Sequence, residues 1–223
     1  MHRPTFKHPG RILITWAMLW VIGAVAIALF DFRLASYAAD LRANDYRTYL
    51  GEAIVLLESK DYLGALQQVE KAKELAPDVY EPYAYAGGIH YRMNQWELAY
   101  ANFTQAVAKG DPGVGPRLDI VWSLIEMKRF DEAADFGAKA VAQFPENATL
   151  PQYTAEALLK AARPAEAIPF LERALGQSEN NVYLLDRLAR AQEQKGDAAA
   201  AAKVRARIDS IHEAIGRVGN VVP

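Results

Sequence analysis

YAYAGGIHYRMNQWELAYANFTQA, residues Tyr83–Ala106, carries a spacing that recurs on both sides of it. Ala99 is matched by Ala65, Ala133, Ala167 and Ala201 at one constant step along the chain. Seven residues on, the same step gives Ala72, Ala106, Ala140 and Ala174, with Ile208 as the one large residue of the column. Tyr62, Trp96 and Phe130 form a third column three residues ahead of the first. A fourth holds small residues or valine: Ala53, Gly87, Val121, Ala155 and Ala189. Two helices approach closely only where side chains are small, so a small residue on one helix facing an alanine on the next has a packing cause. The spacing predicts helix pairs that repeat with the chain.

A period of about 34 residues with these columns resembles the tetratricopeptide repeat (TPR) family over roughly Tyr46 to Ile215. The resemblance implies an all-α fold, an α-solenoid of about five helix hairpins. Pro77 and Pro145 close two units where the family places a proline, because proline ends a helix just before it. Pro164 and Ala198 stand where the first three units have an aromatic. Tight turns are expected at Lys60-Asp61, Met93-Asn94-Gln95, Lys128-Arg129, Arg163-Pro164 and Lys195-Gly196-Asp197. Asp111-Pro112-Gly113-Val114-Gly115-Pro116 reads as a loop that makes the third hairpin enter late, either as a functional insertion or as a shortened helix, with Pro116 at the first helical position. Pro169 falls inside the second helix of the fourth unit, where it should kink the helix unless the helix starts close by. Asp197 suits an N-cap, and Ala198 to Arg217 reads as a capping helix with one solvated side.

Ahead of the repeats, residues 1–11 form a basic tail with Arg3, Lys7 and Arg11 and no acid. Ile12 to Phe30 is then a continuous apolar run, broken only by Thr15 and Gly23. Its length is close to the roughly 20 residues needed for a helix to cross a bilayer. No polar stripe marks it as a core helix. A signal peptide is the other reading, with Ser36-Tyr37-Ala38 as a cleavage site, but such signals have apolar cores of about 7–15 residues. The length favours an uncleaved transmembrane helix at 12–30. Asp31 to Asp45 balances two Arg against three Asp, so the basic amino end is expected in the cytoplasm. That makes a single-pass protein of the inner membrane with its repeats in the periplasm. Residues 31–45 keep helical spacing and read as a stalk, 46–217 as the solenoid with its cap, and 218–223 as an unpatterned tail.

The remaining composition excludes chemistry more than it offers any. Cysteine is absent, which removes disulfides, thiol nucleophiles and cysteine-ligated metals. A net charge of −2 with dispersed Lys and Arg lacks the basic patch of a nucleic-acid binder. His2, His8, His90 and His212 have no metal-ligand spacing, and neither a hydrolase serine motif nor a phosphate-cradling glycine loop occurs. No enzyme, cofactor, metal or small-molecule substrate is therefore expected. His90 is read as a packed or groove-edge residue.

Binding is what remains. In the family the first helix of each unit lines a concave surface that takes an extended peptide or a partner's helix. Helical spacing from the small residues points Tyr85, Tyr91, Trp122, Ile125, Tyr153 and Glu156 toward that face, with Arg92 at its edge. Ile54, Gly88, Trp122, Glu156 and Arg190 occupy a row that the family's chaperone-tail receptors fill with a carboxylate clamp, so that receptor type is not implied. Two readings follow. One is a membrane-anchored interaction scaffold or accessory subunit that holds periplasmic partners during assembly or maturation of an envelope complex. The other is a structural subunit whose single transmembrane helix makes the main contacts.

Overall fold

The computed structural model describes residue 25, residues 27–34 and residues 46–219. The expected span at Ile12–Phe30 and stalk at 31–45 lie largely outside the described residues, as does most of the tail at 218–223. Residues 27–34 are helical, and Ile27, Leu29, Phe30, Phe32 and Leu34 all expose more than half of their surface. Among the described residues no helix is long and apolar enough to cross a membrane.

From residue 46 the chain is a succession of helices: α1 (46–58), α2 (Tyr62–Leu75), α3 (Glu81–Arg92), α4 (Trp96–Ala108), α5 (Gly115–Glu126), α6 (Phe130–Gln143), α7 (Thr149–Lys160), α8 (Pro164–Leu175), α9 (Val182–Lys195) and α10 (Ala198–Gly219). Helix α3 pairs with α4, α5 with α6, α7 with α8 and α9 with α10, α1 shares one apolar cluster with α2, and successive hairpins stack. Contacts of α3 with α5 and of α5 with α7 set these first helices side by side along one face, the arrangement of a TPR-type α-solenoid.

The columns that fixed this reading are the core. Ala65, Ala99, Ala133 and Ala167 are completely buried and Ala201 nearly so, as are Ala53, Val121, Ala155 and Ala189 across from them. Gly87 shows why size matters at that slot, since a methyl group there would lie 2.7 Å from the Phe103 ring of α4. Tyr62, Trp96, Phe130 and Pro164 are the first residues of α2, α4, α6 and α8. Pro169 leaves α8 continuous to Leu175, its ring on the solvent side.

The turn inside every hairpin is the same device. Lys60, Asn94, Lys128, Ala162 and Gly196 take left-handed backbone angles, with φ of 61°, 57°, 60°, 58° and 92°, and they too recur at the repeat period. The amide after each donates to a carbonyl five residues back: Asp61 to Leu56, Gln95 to His90, Arg129 to Leu124, Arg163 to Leu158, and Asp197 to Gln192, at 2.8–2.9 Å. This is the six-to-one bond of a Schellman motif, which satisfies carbonyls a helix end would otherwise orphan. In the fourth hairpin the turn therefore pivots on Ala162, one residue before the expected Arg163-Pro164. Asp61 and Asp197 cap the helices that follow, accepting from the amides of Gly64 at 2.9 Å and Ala200 at 3.0 Å.

The third hairpin does not enter late. Helix α5 begins at Gly115, one period after Glu81 of α3, and Pro116 is its second residue. The 111–116 segment is closed by its own polar groups. The buried Asp111 carboxylate accepts from the Gly113 amide at 2.6 Å, and Arg117 donates to the carbonyls of Asp111 at 2.9 Å and Gly113 at 2.6 Å. It is an inter-repeat link of ordinary reach.

Candidate functional site

The first helices enclose a cleft of about 560 Å³ between α1, α3 and α5. It exists because small residues stand where neighbouring units carry bulk. Ala84 and Gly88 of α3 and Gly115 of α5 line it, and Gly88 lies one period ahead of Trp122 and one after Ile54. At Gly88 an added methyl group would meet only the Arg92 side chain, at 3.5 Å. Ile54 and Leu57 of α1, Tyr85 of α3 and Pro116 of α5 give apolar walls, and Phe103 reaches in from α4. Three charged residues complete the lining: Glu58 from α1, Arg92 from α3 and Asp119 from α5.

Asp119 is the unusual group. Burial pushes its carboxyl up to about 6, and the nearby positive charge of Arg92 only partly opposes this. Among the described residues it accepts no hydrogen bond and closes no ion pair. The Arg92 guanidinium instead donates to the Gly88 carbonyl at 3.2 Å. Tyr91 lies close enough to feel Asp119, Tyr153 and Glu126, and burial first, then those charges, push its phenol up to about 12.

The expected groove residues divide between this cleft and its surroundings. Tyr85 and Arg92 line the cleft. Trp122 and Tyr153 meet farther along the face, ring centroids 5.1 Å apart, and both pack half-buried against the main core. Tyr91 turns toward its own hairpin partner and meets Trp96 edge-on at 5.2 Å. Glu156 is already partnered: Arg187 of α9 and Lys160 of its own helix lie 3.5 Å and 3.6 Å from its carboxylate, and the Tyr183 hydroxyl of α9 donates to it at 3.5 Å. Ile125 must be corrected. It is only 4 % exposed and belongs to the core, because it follows buried Val121 by one helical turn and so shares its inward face. His90 is packed, its Nδ1 2.7 Å from Oε1 of Gln95, which ties α3 to the turn beyond it.

Asp119 and Glu58 escape a search for aromatic anchors, although the period contains them. Asp119 stands one period after Tyr85 and one before Tyr153, an acid between two tyrosines. Glu58, Arg92, Glu126 and Lys160 form a row of alternating charge at the same step.

No family model matches the chain, and no curated protein does. Solved structures match it well in shape. YrrB, described as a TPR protein with an unusual peptide-binding site, superimposes with a TM-score of 0.66 at 16% identity, over 73% of this chain and 84% of that one. MamA gives 0.72 at 14% identity, over 77% and 94%. Residues 41 to the end of MamA from Desulfovibrio magneticus RS-1 give 0.67 at 14% identity, over 76% and 96%. At such identities the likeness establishes the solenoid fold.

Proposed function

We propose that this protein is a membrane-anchored interaction scaffold that holds other proteins through the concave cleft between α1, α3 and α5. The helix at Ile12–Phe30 serves as the anchor, the basic residues 1–11 stay in the cytoplasm, and the solenoid works in the periplasm during assembly or maturation of an envelope complex. The anchor reading is supported by the length of the apolar run and by the bare apolar side chains of Ile27, Leu29 and Phe30 at its end. Topology is supported by the charge difference across the run. The observation that carries the function is the open floor at Gly88, where the fold leaves room that it does not need.

Filling that floor tests the reading without removing a core residue. In Gly88→Leu a side chain enters the cleft from a helix that tolerates it, and the change gains up to about 1 kcal/mol of helix propensity. The full chain, purified in mild detergent from its own membranes, is expected to bring down partners identifiable by mass spectrometry, and Gly88→Leu is expected to lose them at an unchanged or higher melting temperature. Retention by Gly88→Leu, together with loss when Ile12–Phe30 is exchanged for an unrelated span, would shift the contacts to the membrane helix and refute the cleft.

A further inference from the structure

We propose that the cleft recognises a cationic side chain, lysine or arginine, of an extended partner segment, with Asp119 as the group on which the cation is seated. This rests on the scaffold reading above and specifies what its binding site selects.

Charge complementarity carries the inference. Two carboxylates, Glu58 and Asp119, face one guanidinium, Arg92, across walls that are otherwise apolar. Arg92 donates to the Gly88 carbonyl and makes no bridge to either acid, so the cleft keeps a negative excess with Asp119 as its most desolvated member. Asp119 is half-buried at the cleft wall and its carboxylate oxygens still reach solvent, so a charged donor brought by a partner meets an acid that is already partly desolvated and has no donor of its own. A neutral amide recovers less, because hydrogen bonds between opposite charges are roughly twice as strong. A partner carboxylate would add a third acid. The walls suit the same occupant. Lysine and arginine carry long methylene stems that pack on surfaces such as Ile54, Leu57 and Tyr85 while the charged head reaches past them. A volume of about 560 Å³ admits such a side chain together with part of its flanking backbone.

The other titratable groups around Asp119 are few. Glu58 from α1 and Tyr85 and Arg92 from α3 share the cleft with it, and Tyr91 of α3 feels its charge together with those of Glu126 on α5 and Tyr153 on α7. The Tyr91 phenol, raised to about 12, stays neutral across the working range. Seating a cation requires the ionised Asp119, so affinity for a cationic segment should fall as pH drops through about 6.

The test uses the full chain in detergent micelles and pools of end-blocked nonapeptides with one fixed central residue and randomised flanks. At pH 7.5 the arginine and lysine pools should bind about tenfold more tightly than the citrulline and glutamate pools. Arginine-pool affinity should fall about tenfold by pH 5, where roughly one Asp119 in ten is ionised. Asp119→Asn should bring the arginine and citrulline pools level and remove most of that pH dependence. Equal binding of all pools by the wild type, or a cation preference that survives Asp119→Asn, overturns the proposal. The scaffold reading still stands in that case if Gly88→Leu abolishes binding. A glutamate preference assigns the cleft to Arg92 and overturns the proposal as well. Failure of every pool to bind overturns the proposal, and partner capture by the wild type and Gly88→Leu then decides the scaffold reading separately.

Discussion

Gly87 and Gly88 are adjacent on α3 and should respond to the same substitution with opposite sign. In a helix, alanine in place of glycine gains roughly 0.5–1 kcal/mol because the unfolded chain loses less freedom on folding. At Gly88 little opposes that gain, since the new methyl group meets only the mobile end of Arg92 at 3.5 Å. Gly88→Ala is therefore expected to be more stable by about 0.5–1 kcal/mol, raising the melting temperature by roughly 1–4 °C for a domain of this size. At Gly87 the methyl group would stand 2.7 Å from Cδ1 and 2.8 Å from Cε1 and Cγ of Phe103. Carbon atoms pack at about 3.5–4.0 Å, and Phe103 is only 2 % exposed, so the ring has nowhere to go without moving α4. Overpacking of this kind costs about 1–3 kcal/mol, which outweighs the helix gain and leaves Gly87→Ala less stable by about 0.5–2 kcal/mol. Thermal melting of the full chain in detergent, followed by far-ultraviolet circular dichroism, separates the two. Adding Phe103→Leu should reduce the cost of Gly87→Ala, because the two changes share one contact. If Gly87→Ala raised the melting temperature as Gly88→Ala does, Gly87 could not be the face on which α3 meets α4, and the alignment of the small-residue column would be wrong.

The five turns offer a second comparison: Ala162→Gly should stabilise the chain by about 0.5–1 kcal/mol and Gly196→Ala destabilise it by a similar amount, both read from urea unfolding midpoints, because the left-handed turn strains any residue with a side chain. Asp119→Asn should stabilise the unliganded protein by about 1–2 kcal/mol at pH 7.5, a shift to about 6 being worth at most roughly 3 kcal/mol before water in the open cleft is allowed for. Ionisation of a group raised in the fold weakens the native state as pH climbs from the unfolded value near 3.8 to about 6, so the advantage should vanish in unfolding curves below about pH 4, and an advantage that persists there would contradict the burial of this carboxyl.

The sequence discloses the repeats because their columns are set by a steric demand that alanine and glycine meet in most units and valine in one slot. Ala99 and Gly87 have no substitute where α3 and α4 touch, and so the period is visible without a structure. Ala162 is illegible for the opposite reason: alanine carries no turn signature, and its left-handed backbone is imposed by the hairpin on either side. Asp111 to Pro116 misleads by composition. Two prolines and two glycines read as a long loop, whereas Pro116 sits inside the first turn of α5 and Arg117 closes the segment onto its carbonyls. Counting turns from the wrong edge of its helix puts Ile125 on the groove, since four residues from buried Val121 is inward. A search for anchors among aromatics passes over Asp119, while the helix geometry places whatever stands at that step on the same face as Tyr85.

Rows on the concave face are packed less tightly than the helix–helix seams, so their residues differ between units, and the differences locate the cleft. Ile54, Gly88, Trp122, Glu156 and Arg190 follow one row from α1 to α9, passing from an apolar wall through an open floor to a tryptophan lodged on Tyr153 and then to a carboxylate held by Arg187. Only the early part of the row leaves volume and an unmatched charge together. That part is also the one tied most closely to the proposed anchor. Between Phe30 and Tyr46 the chain covers 16 steps, which span at most about 55 Å when fully extended and about 24 Å as a helix. If Ile12–Phe30 lies in the bilayer, α1 cannot stand farther than that from its surface, whatever path the connection takes. A partner segment seated on Asp119 is then held within that distance of the bilayer surface.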